Sequence, residues 1–233
     1  MKFSPPAQLF LDSVLALQPR LAVFDCDGTL WNLDSGEGFF YWEMEQGLLP
    51  QKIAGWARAR YEDYRAGRVG EEQMCGEMVT IHEGIEDAAL AEAAERYFAQ
   101  HVVPRIFPEM LDLVRRLTAA GCEIWAVSST NDWVINAAAR SFGIALNHVL
   151  AASVRRENGR ATACLVRVPT DELKAAAIRE VIGRTPDAVF GNSMHDAAML
   201  ELARYAFAVN PNRDLEQLAM QRGWSVYKPE ISA

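Results

Sequence analysis

The sequence lacks the features that mark several large classes of protein. It has only four cysteines and four histidines in 233 residues, with no C-x-x-C pair and no histidine at metal-ligand spacing, so it predicts neither a disulfide framework nor a zinc site. No hydrophobic run approaches the length of a membrane span, and the start of the chain is a poor match to a secretory signal. No basic tract marks a nucleic-acid surface. We therefore expect neither a membrane nor a nucleic acid among the partners.

What is present is typical of a folded, acidic protein. Half of the residues are hydrophobic and 23% are charged, which excludes disorder as the main state. The net charge is −8 and the sequence pI is about 5.1. The four scattered cysteines are expected to be reduced and mostly buried thiols. Together these features predict a cytoplasmic protein, and they leave its oligomeric state open.

Apolar runs and amphipathic stretches alternate over most of the chain, which is typical of an α/β protein. The run at 21–24 indicates a strand buried on both faces, and Asn158-Gly159 indicates a hairpin turn within 148–166. Strands separated by helices predict a doubly wound, parallel, Rossmann-like sheet with right-handed crossovers. The predicted helices lie at 7–17, 109–120, 132–142, 170–182, 194–203 and 212–222, and the other strands at 123–129, 187–192 and 205–209.

Residues 35–102 differ in character from the rest of the chain. They are rich in Glu, Ala, Arg and aromatic residues, contain no strong strand pattern, and are broken at Pro50, Gly67–Gly70 and Gly84. This composition predicts an all-helical insertion. The predicted domains are a Rossmann-like core at 1–32 and 104–233 and a helical cap at 33–103.

Two acidic residues follow the first predicted strand, in the segment DCDGTL. Asp25 and Asp27 lie on the same side of the strand end, where two carboxylates need a cation to coexist. Mg²⁺ suits such an oxygen-rich pair better than zinc. Gly28 allows the backbone of the turn to approach an anion closely. An ordinary Asp/Gly turn explains this segment equally well.

Further candidate residues lie at the next strand end and on a later helix. Ser128 ends the strand EIWAVS, where its hydroxyl would donate to a phosphate oxygen at a helix N-terminus; taken alone, an N-cap role in the series Ser128 to Asn131 is favoured. Lys174 lies near the first turn of a helix, where the macrodipole disfavours a cation. Its position alone favours a surface pair with Asp171, and the alternative is a lysine that points inward to neutralise a bound phosphate.

The segment GNSMHD follows the strand AVF. A helix N-cap at Ser193 with Asp196 in the first turn is the ordinary interpretation, while the functional interpretation places Asn192 and Asp196 at the far wall of a metal site. We assign no role to His195, because a lone exposed histidine proves nothing. Ligands of such sheets bind beyond the carboxyl ends of the strands, so the convergence of polar groups there is the main indication of a site.

These motifs together resemble the haloacid dehalogenase superfamily of aspartyl-nucleophile phosphohydrolases. The resemblance covers essentially the whole chain and includes DCDGTL at 25–30, the strand-end serine of WAVSST, Lys174 and GNSMHDAAML at 191–200. The helical insertion is similar to the mobile cap of the family, and the continuation FAVNPNRDLEQLAMQRGW looks like the phosphoserine-phosphatase-like branch. The order of the motifs is specific for the superfamily but not for a substrate.

The resemblance implies a two-step hydrolysis of a small phosphorylated metabolite. Asp25 would attack the phosphomonoester and form an aspartyl-phosphate. Asp27 would protonate the leaving alcohol and then deprotonate the water that cleaves the intermediate. The residues implied to bind the substrate are Gly28, Ser128, Ser129 and Lys174.

The resemblance also implies a Mg²⁺ site. Its implied residues are the Asp25 carboxylate, the Asp27 carbonyl, the Asn192 side chain, and Asp196, which would steady the waters of the ion. Most members of the superfamily carry Asp where this chain has Asn192. An amide oxygen still ligates Mg²⁺, but the site has one negative charge fewer, so weaker metal binding is expected.

The sequence does not predict phosphoserine as the substrate. Asp34 is available to meet a substrate amine, but the Arg-containing segment that phosphoserine phosphatases use for the substrate carboxylate is not recognisable in 66–82. The cap entrance is aromatic and acidic. Helix core plus a solvated face is the favoured interpretation, and a pocket for a cationic or apolar leaving group is the alternative. The residues concerned are Trp31, Glu37, Phe39, Phe40, Tyr41, Trp42, Glu43 and Glu45.

Other activities share parts of this pattern. A phosphotransferase or mutase would keep the same motifs and is the main alternative. A C–halogen hydrolase generally lacks the second acid, so Asp27 argues against that activity. A non-catalytic, phospho-accepting signalling module also combines Asp, Ser or Thr and Lys on a doubly wound sheet, but such modules are about half as long and lack the insertion.

Overall fold

A seven-stranded sheet forms the centre of the protein. The computed structural model describes residues 3–230, and its strands are β1 Leu21–Phe24, β2 Glu123–Asn131, β3 Val149–Glu157, β4 Arg160–Arg167, β5 Ala188–Gly191, β6 Tyr205–Val209 and β7 Ser225–Tyr227. Their order is β4-β3-β2-β1-β5-β6-β7. All neighbours pair in parallel except β3 and β4, which form an antiparallel hairpin. The predicted α/β fold with a doubly wound, mainly parallel sheet is confirmed.

The hairpin and the last strand show where the local signals were strong and where they were weak. Asn158 and Gly159 join β3 to β4, both with positive φ, as a two-residue hairpin turn requires. The short strand β7 was not predicted, because its three residues carry no alternating pattern. It pairs with β6 at the far edge.

Helices cover both faces of the sheet, which gives the layered α/β arrangement. They are α1 Pro5–Ala16, α2 Ser35–Glu45, α3 Gln51–Arg65, α4 Glu71–Thr80, α5 Asp87–Tyr97, α6 Pro108–Ala119, α7 Asp132–Phe142, α8 Glu172–Ala177, α9 Ala197–Leu200 and α10 Arg213–Arg222. Two predicted helices are shorter than expected. The one at 170–182 is α8 followed by a π-helical turn at Ile178–Ile182, and the one at 194–203 is a 3₁₀ turn at Met194–Asp196 followed by α9.

The segment α2–α5 is helical, as the composition of the chain indicates. Tyr61 and Phe40 belong to a small hydrophobic cluster within this segment. In contrast, Leu90 and Tyr97 of α5 belong to the main core, together with residues of β1 and α7. Because α5 packs into the main core, the boundaries of the cap at residues 33 and 103 stay predictions.

Two sets of polar contacts hold the α2–α5 segment, one to the rest of the chain and one within the segment. The loop before α5 is paired with the β3–β4 hairpin, since Gly84 N donates to Ala161 O at 2.8 Å and Ala161 N donates to Ile85 O at 3.0 Å. The second contact joins α2 to the end of α4. There, His82 Nε2 lies 2.6 Å from Glu43 Oε2, and both side chains are 1% exposed.

All four cysteines are free thiols, of which Cys26 and Cys122 are buried and Cys164 is exposed. No helix between residues 3 and 230 is long and apolar enough to cross a membrane.

Candidate active site

The order of the strands brings the candidate residues to one edge of the sheet. β1 lies between β2 and β5, so the segments that follow these three strands meet at their carboxyl ends. They surround a cavity of about 480 Å³, which we call the catalytic cavity. Its lining is Asp25, Asp27, Gly28, Asn32, Leu33, Asp34, Tyr64, Glu71, Ser129, Thr130, Lys174, Asn192, Ser193, His195 and Asn210.

A buried lysine joins two of the candidate carboxylates. Lys174 Nζ donates to Asp25 Oδ1 at 2.7 Å and to Asp196 Oδ1 at 2.6 Å. Lys174 is only 2% exposed, so the interpretation of Lys174 as a surface residue is wrong. The helix dipole does not keep Lys174 at the surface, because two buried carboxylates compensate its charge.

Asp25 is held at both oxygens. Thr29 Oγ1 donates to Asp25 Oδ2 at 2.8 Å, opposite the contact with Lys174. Burial, followed by the negative charge of Asp196, raises the pKa of Asp25 to about 7 against the opposing effect of Lys174. Asp25 is therefore an oriented carboxylate whose ionised form needs more positive charge than one lysine supplies.

Asp27 accepts three hydrogen bonds. Trp31 Nε1 and Ser35 N both donate to Asp27 Oδ1 at 2.7 Å, and Thr130 Oγ1 donates to Asp27 Oδ2 at 2.6 Å. The donors come from the loop after β1, the first turn of α2 and the end of β2. Asp27 thus connects the sheet to the start of the helical segment.

The end of β2 is irregular. Ser128 pairs with Ala151 on β3 and Asn131 pairs with the next residue, Ala152, so Ser129 and Thr130 are extra residues on the β2 side. Such bulges redirect side chains near active sites, and here both extra residues line the catalytic cavity. The side chain of Ser128 is buried and accepts a hydrogen bond from Thr130 N at 3.2 Å.

The N-cap of α7 is Asn131, whose side chain accepts from Val134 N at 3.0 Å. The predicted series Ser128 to Asn131 thus contains the N-cap, but the capping residue is Asn131 and not Ser128, which lies three residues before it. Ser129 lines the catalytic cavity, whereas Ser128 is buried and is not among the lining residues. The substrate-binding roles of both serines stay predictions.

Gly28 and Asn192 pack against each other on the other side of the cavity. Gly28 has a φ of +75°, and a Cβ at this position would lie 1.9 Å from Asn192 Nδ2. No larger residue fits there without displacing Asn192. Asn210 completes this wall by donating to the Gly28 carbonyl at 3.2 Å.

Asp196 is fully buried and has no contact with the catalytic cavity. Its Oδ2 accepts from Asn192 N at 2.8 Å and Ser193 N at 3.0 Å, and its Oδ1 accepts from Lys174. The capping box predicted for Ser193 and Asp196 is present. Asp196 thus holds Lys174 and the loop after β5, and its role towards the waters of a metal stays a prediction.

A second, smaller cavity of about 60 Å³ opens beside the first and extends under the helices. We call it the helical cavity. Its lining is Asp34, Gly36, Glu37, Tyr61, Tyr64, Glu71, Met74, Cys75, Met78, Val79, Ser129, Thr130 and Asn131. The two cavities share five residues, which are Asp34, Tyr64, Glu71, Ser129 and Thr130. The lining of the helical cavity thus includes acidic, tyrosine and methionine side chains.

The aromatic residues of α2 do not form this lining. Phe39 and Phe40 are buried, and Trp42 packs against Phe39 and Tyr97. Of the set predicted for the cap entrance, only Glu37 lines the helical cavity. The interpretation as helix core is thus correct for these rings, and Glu43 is no part of a solvated face because it is buried against His82.

Tyr61 and Tyr64 take the place that was considered for the α2 aromatic residues. The hydroxyl of Tyr64 donates to Glu71 Oε2. Tyr61 is 6% exposed, and its hydroxyl has no hydrogen-bond partner among residues 3–230. Burial, followed by the charges of Asp34 and Glu37, raises the pKa of Tyr61, so this hydroxyl stays neutral and available to a bound molecule.

His195 lies at the rim of the catalytic cavity, where Nδ1 is 2.7 Å from Asp171 Oδ1 and Nε2 is 3.9 Å from Glu71 Oε2. Asp171 has an unusual positive φ of 47°. The structure thus places His195 between the sheet and α4, and a role as base remains unassigned.

The chemistry of the lining fits a divalent cation. Asp25, Asp27, Asp34 and Glu71 line the catalytic cavity, and Lys174 is the one lysine or arginine among its described lining residues. A phosphate would add further negative charge, which a hard cation with oxygen ligands would offset. Residues 3–230 contain no group of three or more His, Cys, Asp or Glu arranged to hold a metal. The Asn192 amide is a further, uncharged oxygen donor that lines the catalytic cavity.

Sequence reasoning missed several residues of these cavities. Thr29, Thr130, Tyr61, Glu71 and Asn210 were given no role, although Thr29 lies within DCDGTL and Thr130 within WAVSST. For Thr29 and Thr130, their place within these motifs was a signal that could have identified them. Tyr61, Glu71 and Asn210 come close only through tertiary packing, so no local pattern marks them.

The family of the chain is shown by comparison with known proteins. The family model for haloacid dehalogenase-like hydrolases matches residues 22–201, which is more than half of the chain. The protein belongs to this family. It is therefore a hydrolase by family, in agreement with the resemblance of its motifs.

Individual relatives agree with this assignment. A histidinol-phosphatase of Neisseria meningitidis is 26% identical over 218 residues, covering 89% of this chain and 97% of that protein. A solved structure of a protein of unknown function from Bordetella pertussis has a TM-score of 0.76 at 26% identity, with coverage of 89% and 97%. A substrate-bound phosphoserine phosphatase has a TM-score of 0.61 at 16% identity, with coverage of 91% and 94%, and shows likeness of fold alone.

Proposed function

We propose that this hydrolase is a Mg²⁺-dependent phosphomonoesterase that acts on a small phosphorylated metabolite through an aspartyl-phosphate. The observation that carries the proposal is the Asp25–Lys174 contact of 2.7 Å beside the catalytic cavity, with Asp27 two residues further on. An oriented carboxylate next to a buried cation suits attack on a phosphoryl group, since the cation stabilises charge on the phosphoryl oxygens.

The first step transfers the phosphoryl group to the protein. A carboxylate oxygen of Asp25 forms a bond to phosphorus while the bond from phosphorus to the ester oxygen breaks. Asp27 gives its proton to the departing alkoxide and becomes a carboxylate. Lys174, held in place by Asp196, supplies positive charge to the phosphoryl oxygens. The backbone at Gly28 and the Ser129 side chain line the same cavity.

The second step returns the protein to its starting state. Asp27, now ionised, takes a proton from a water molecule, and the resulting hydroxide oxygen bonds to phosphorus. The bond from phosphorus to the Asp25 oxygen breaks, which releases inorganic phosphate and restores both carboxyl groups. The same side chain thus serves as acid and then as base.

The Asp25 carboxylate, the Asp27 carbonyl and the Asn192 amide would hold Mg²⁺. The ion supplies charge neutralisation that lets a phosphate dianion approach an anionic carboxylate. Because Asn192 is uncharged, we expect affinity for the ion to be weaker than with a third carboxylate at this place.

The helical cavity favours a leaving group that carries positive charge. Asp34, Glu37 and Glu71 line it, and no lysine or arginine does among the residues that the structure describes. The relative from Neisseria meningitidis is named for histidinol phosphate, whose amino-alcohol part is cationic. The carboxylate of phosphoserine would instead face like charges, so we rank phosphoserine below a phosphorylated amino alcohol without a carboxylate.

Two earlier expectations also belong to this proposal. Residues 33–103 would act as a cap that encloses the leaving group while the sheet edge performs the chemistry. The cytoplasmic location, and the lack of membrane and nucleic-acid partners, follow from the composition of the sequence.

The first experiment measures phosphate release from 4-nitrophenyl phosphate with Mg²⁺, with a chelator, and with the Asp25→Asn variant. We expect activity with the ion, its loss with the chelator, and a decrease of at least about 10³-fold in the variant because the nucleophile is gone. Asp214→Asn, on the exposed side of α10, is the matched control and should leave activity unchanged. Equal activity of Asp25→Asn and the unsubstituted protein would contradict the proposal.

A further inference from the structure

Thr130 makes one of the shortest contacts in the site, yet none of the roles above uses it. Its hydroxyl oxygen lies 2.6 Å from Asp27 Oδ2, and the residue is 6% exposed. It also lines both the catalytic cavity and the helical cavity. The Thr130 hydroxyl is therefore nearly buried where the two cavities meet, and its hydrogen bond to Asp27 places it to influence that carboxylate.

The bulge in β2 is what brings Thr130 to this place. Two extra residues between Ser128 and Asn131 interrupt the pairing with β3. Within the bulge, Thr130 N donates a hydrogen bond of 3.2 Å to Ser128 Oγ. A regular strand would align these residues with β3 and keep them in the ladder. The local backbone therefore positions Thr130 against a residue 103 positions away in sequence.

The hydrogen bonds of Asp27 leave one direction for its proton. A carboxylate has about four acceptor positions, two on each oxygen. Asp27 Oδ1 accepts from both Trp31 Nε1 and Ser35 N, whereas Oδ2 accepts only from Thr130 among the described residues. The remaining position on Oδ2 is thus the one that can carry a proton, and Thr130 determines where it points.

A glycine in the first turn of α2 leaves room for the Thr130 hydroxyl. A Cβ on Gly36 would lie 2.7 Å from Thr130 Oγ1, which is closer than a real side-chain atom comes without displacing its neighbour. The absence of a side chain at Gly36 therefore leaves the hydroxyl of Thr130 in contact with Asp27. This second observation does not depend on the hydrogen-bond count.

We propose that Thr130 is the positioning residue for proton transfer by Asp27: it fixes Oδ2 so that its free position faces the leaving oxygen and later the attacking water. The inference rests on the proposed function, because it takes Asp27 to be the acid and base. Thr130 itself gains or loses no proton overall; it donates one hydrogen bond in both protonation states of Asp27.

The test compares Thr130→Val, which keeps the shape and removes the donor, with Thr130→Ser, which keeps the donor. We expect Thr130→Val to lower kcat about 10- to 100-fold for an alkyl phosphate, since hydrogen bonds to charged groups are the stronger ones, with little change in KM. Thr130→Ser should stay within about threefold of the unsubstituted protein. Thr118→Val, which removes a hydroxyl bonded only within α6, is the matched control.

Two readouts separate positioning from a merely structural role. With 4-nitrophenyl phosphate, whose leaving group needs no proton, the first step of Thr130→Val should be spared and the second slowed. A burst of nitrophenolate equivalent to the enzyme concentration should then precede slow turnover. Equal losses on both esters without a burst, or failure of Thr130→Ser to restore kcat, would overturn the inference.

The Asp27→Asn variant keeps the two proposals distinguishable. If Asp27→Asn retains turnover, the acid and base assignment fails and the proposed function must change. If Asp27→Asn loses turnover while Thr130→Val keeps it on alkyl esters, only the inference about Thr130 fails.

Discussion

The sheet edge beside the catalytic cavity and the helices around the helical cavity, which we call the helical wall, differ in how completely their polar groups are paired. At the sheet edge, Asp25, Asp27, Lys174 and Asp196 each have at least two hydrogen-bond partners. On the helical wall, the Tyr61 hydroxyl has none among residues 3–230, and the described lining residues include Asp34, Glu37 and Glu71 but no lysine or arginine. Side chains that already have their hydrogen-bond partners are held in a fixed geometry, which is what catalytic groups require. A wall whose polar groups lack partners is suited to binding a ligand that supplies those partners.

This difference has a physical origin in the fold. Apart from Lys174 on α8, the sheet-edge residues follow strands that are held by parallel pairing on both sides, and β1 is buried along its whole length. The helical wall comes from α2, α3 and α4, whose small cluster is separate from the main core. Substitutions at the sheet edge should therefore affect stability and catalysis, whereas substitutions on the helical wall should affect substrate preference.

The largest effect is expected from Lys174→Met at the sheet edge. The substitution leaves Asp25 and Asp196 buried without their cation, and breaking such pairs lowers the free energy of unfolding by about 3–5 kcal/mol. It also removes the charge next to the phosphoryl group, so kcat/KM should fall about 10²- to 10³-fold. Thermal or denaturant unfolding and steady-state kinetics measure the two effects.

Lys228→Met is the matched control for the loss of a lysine. Lys228 pairs with Glu216 at 2.7 Å, but its side chain is 59% exposed. Exposed pairs contribute at most about 1 kcal/mol, so both stability and activity should stay close to those of the unsubstituted protein. If Lys174→Met behaved like this control, the two walls would not differ as described.

A smaller and more selective effect is expected from Glu71→Gln on the helical wall. The variant keeps the size of the side chain and removes its charge. KM for a phosphorylated amino alcohol should rise about 5- to 10-fold, since a charged contact is lost, while KM for a neutral ester such as glycerol phosphate stays nearly constant. Steady-state kinetics on the two esters gives the ratio of their KM values.

Glu72→Gln controls for the change in charge at the start of the same helix. Glu72 lies beside Glu71 in the first turn of α4, is exposed, and lines neither cavity. It should leave both values of KM unchanged. A rise for both esters in Glu71→Gln would mean that the residue shapes the cavity without recognising charge.

Much of the fold could be predicted from the sequence because its signals are local. The apolar run at 21–24 and the turn at Asn158-Gly159 both lie where the patterns indicated. The failures have tertiary causes. The helix predicted from residue 170 begins two residues later because Asp171 adopts a positive φ, and β7 is a strand only because it pairs with β6.

The candidate site was partly predictable for a related reason. The residues that directly follow strands, such as Asp25 and Asn192, could be placed from the order of elements and the rule that ligands bind beyond strand ends. Lys174 could not, because its environment is set by Asp25 and Asp196, which are 149 and 22 positions away. The WAVSST motif marks Thr130 as a candidate, but its contact with Asp27 depends on a bulge, which leaves no mark in a periodic pattern.

The proposal that Asp25 becomes phosphorylated and Asp27 completes the turnover is tested most directly by trapping the intermediate. Asp27→Asn keeps the backbone carbonyl and nearly the same shape but transfers no proton, so the phosphoryl group should remain on the protein. The variant is exposed briefly to 4-nitrophenyl phosphate with Mg²⁺, quenched in acid, digested and examined by mass spectrometry. We expect one added phosphoryl group on the peptide that contains Asp25, and none in the Asp25→Asn, Asp27→Asn double variant. Rapid turnover by Asp27→Asn, or a phosphoryl group on any other peptide, would contradict the mechanism.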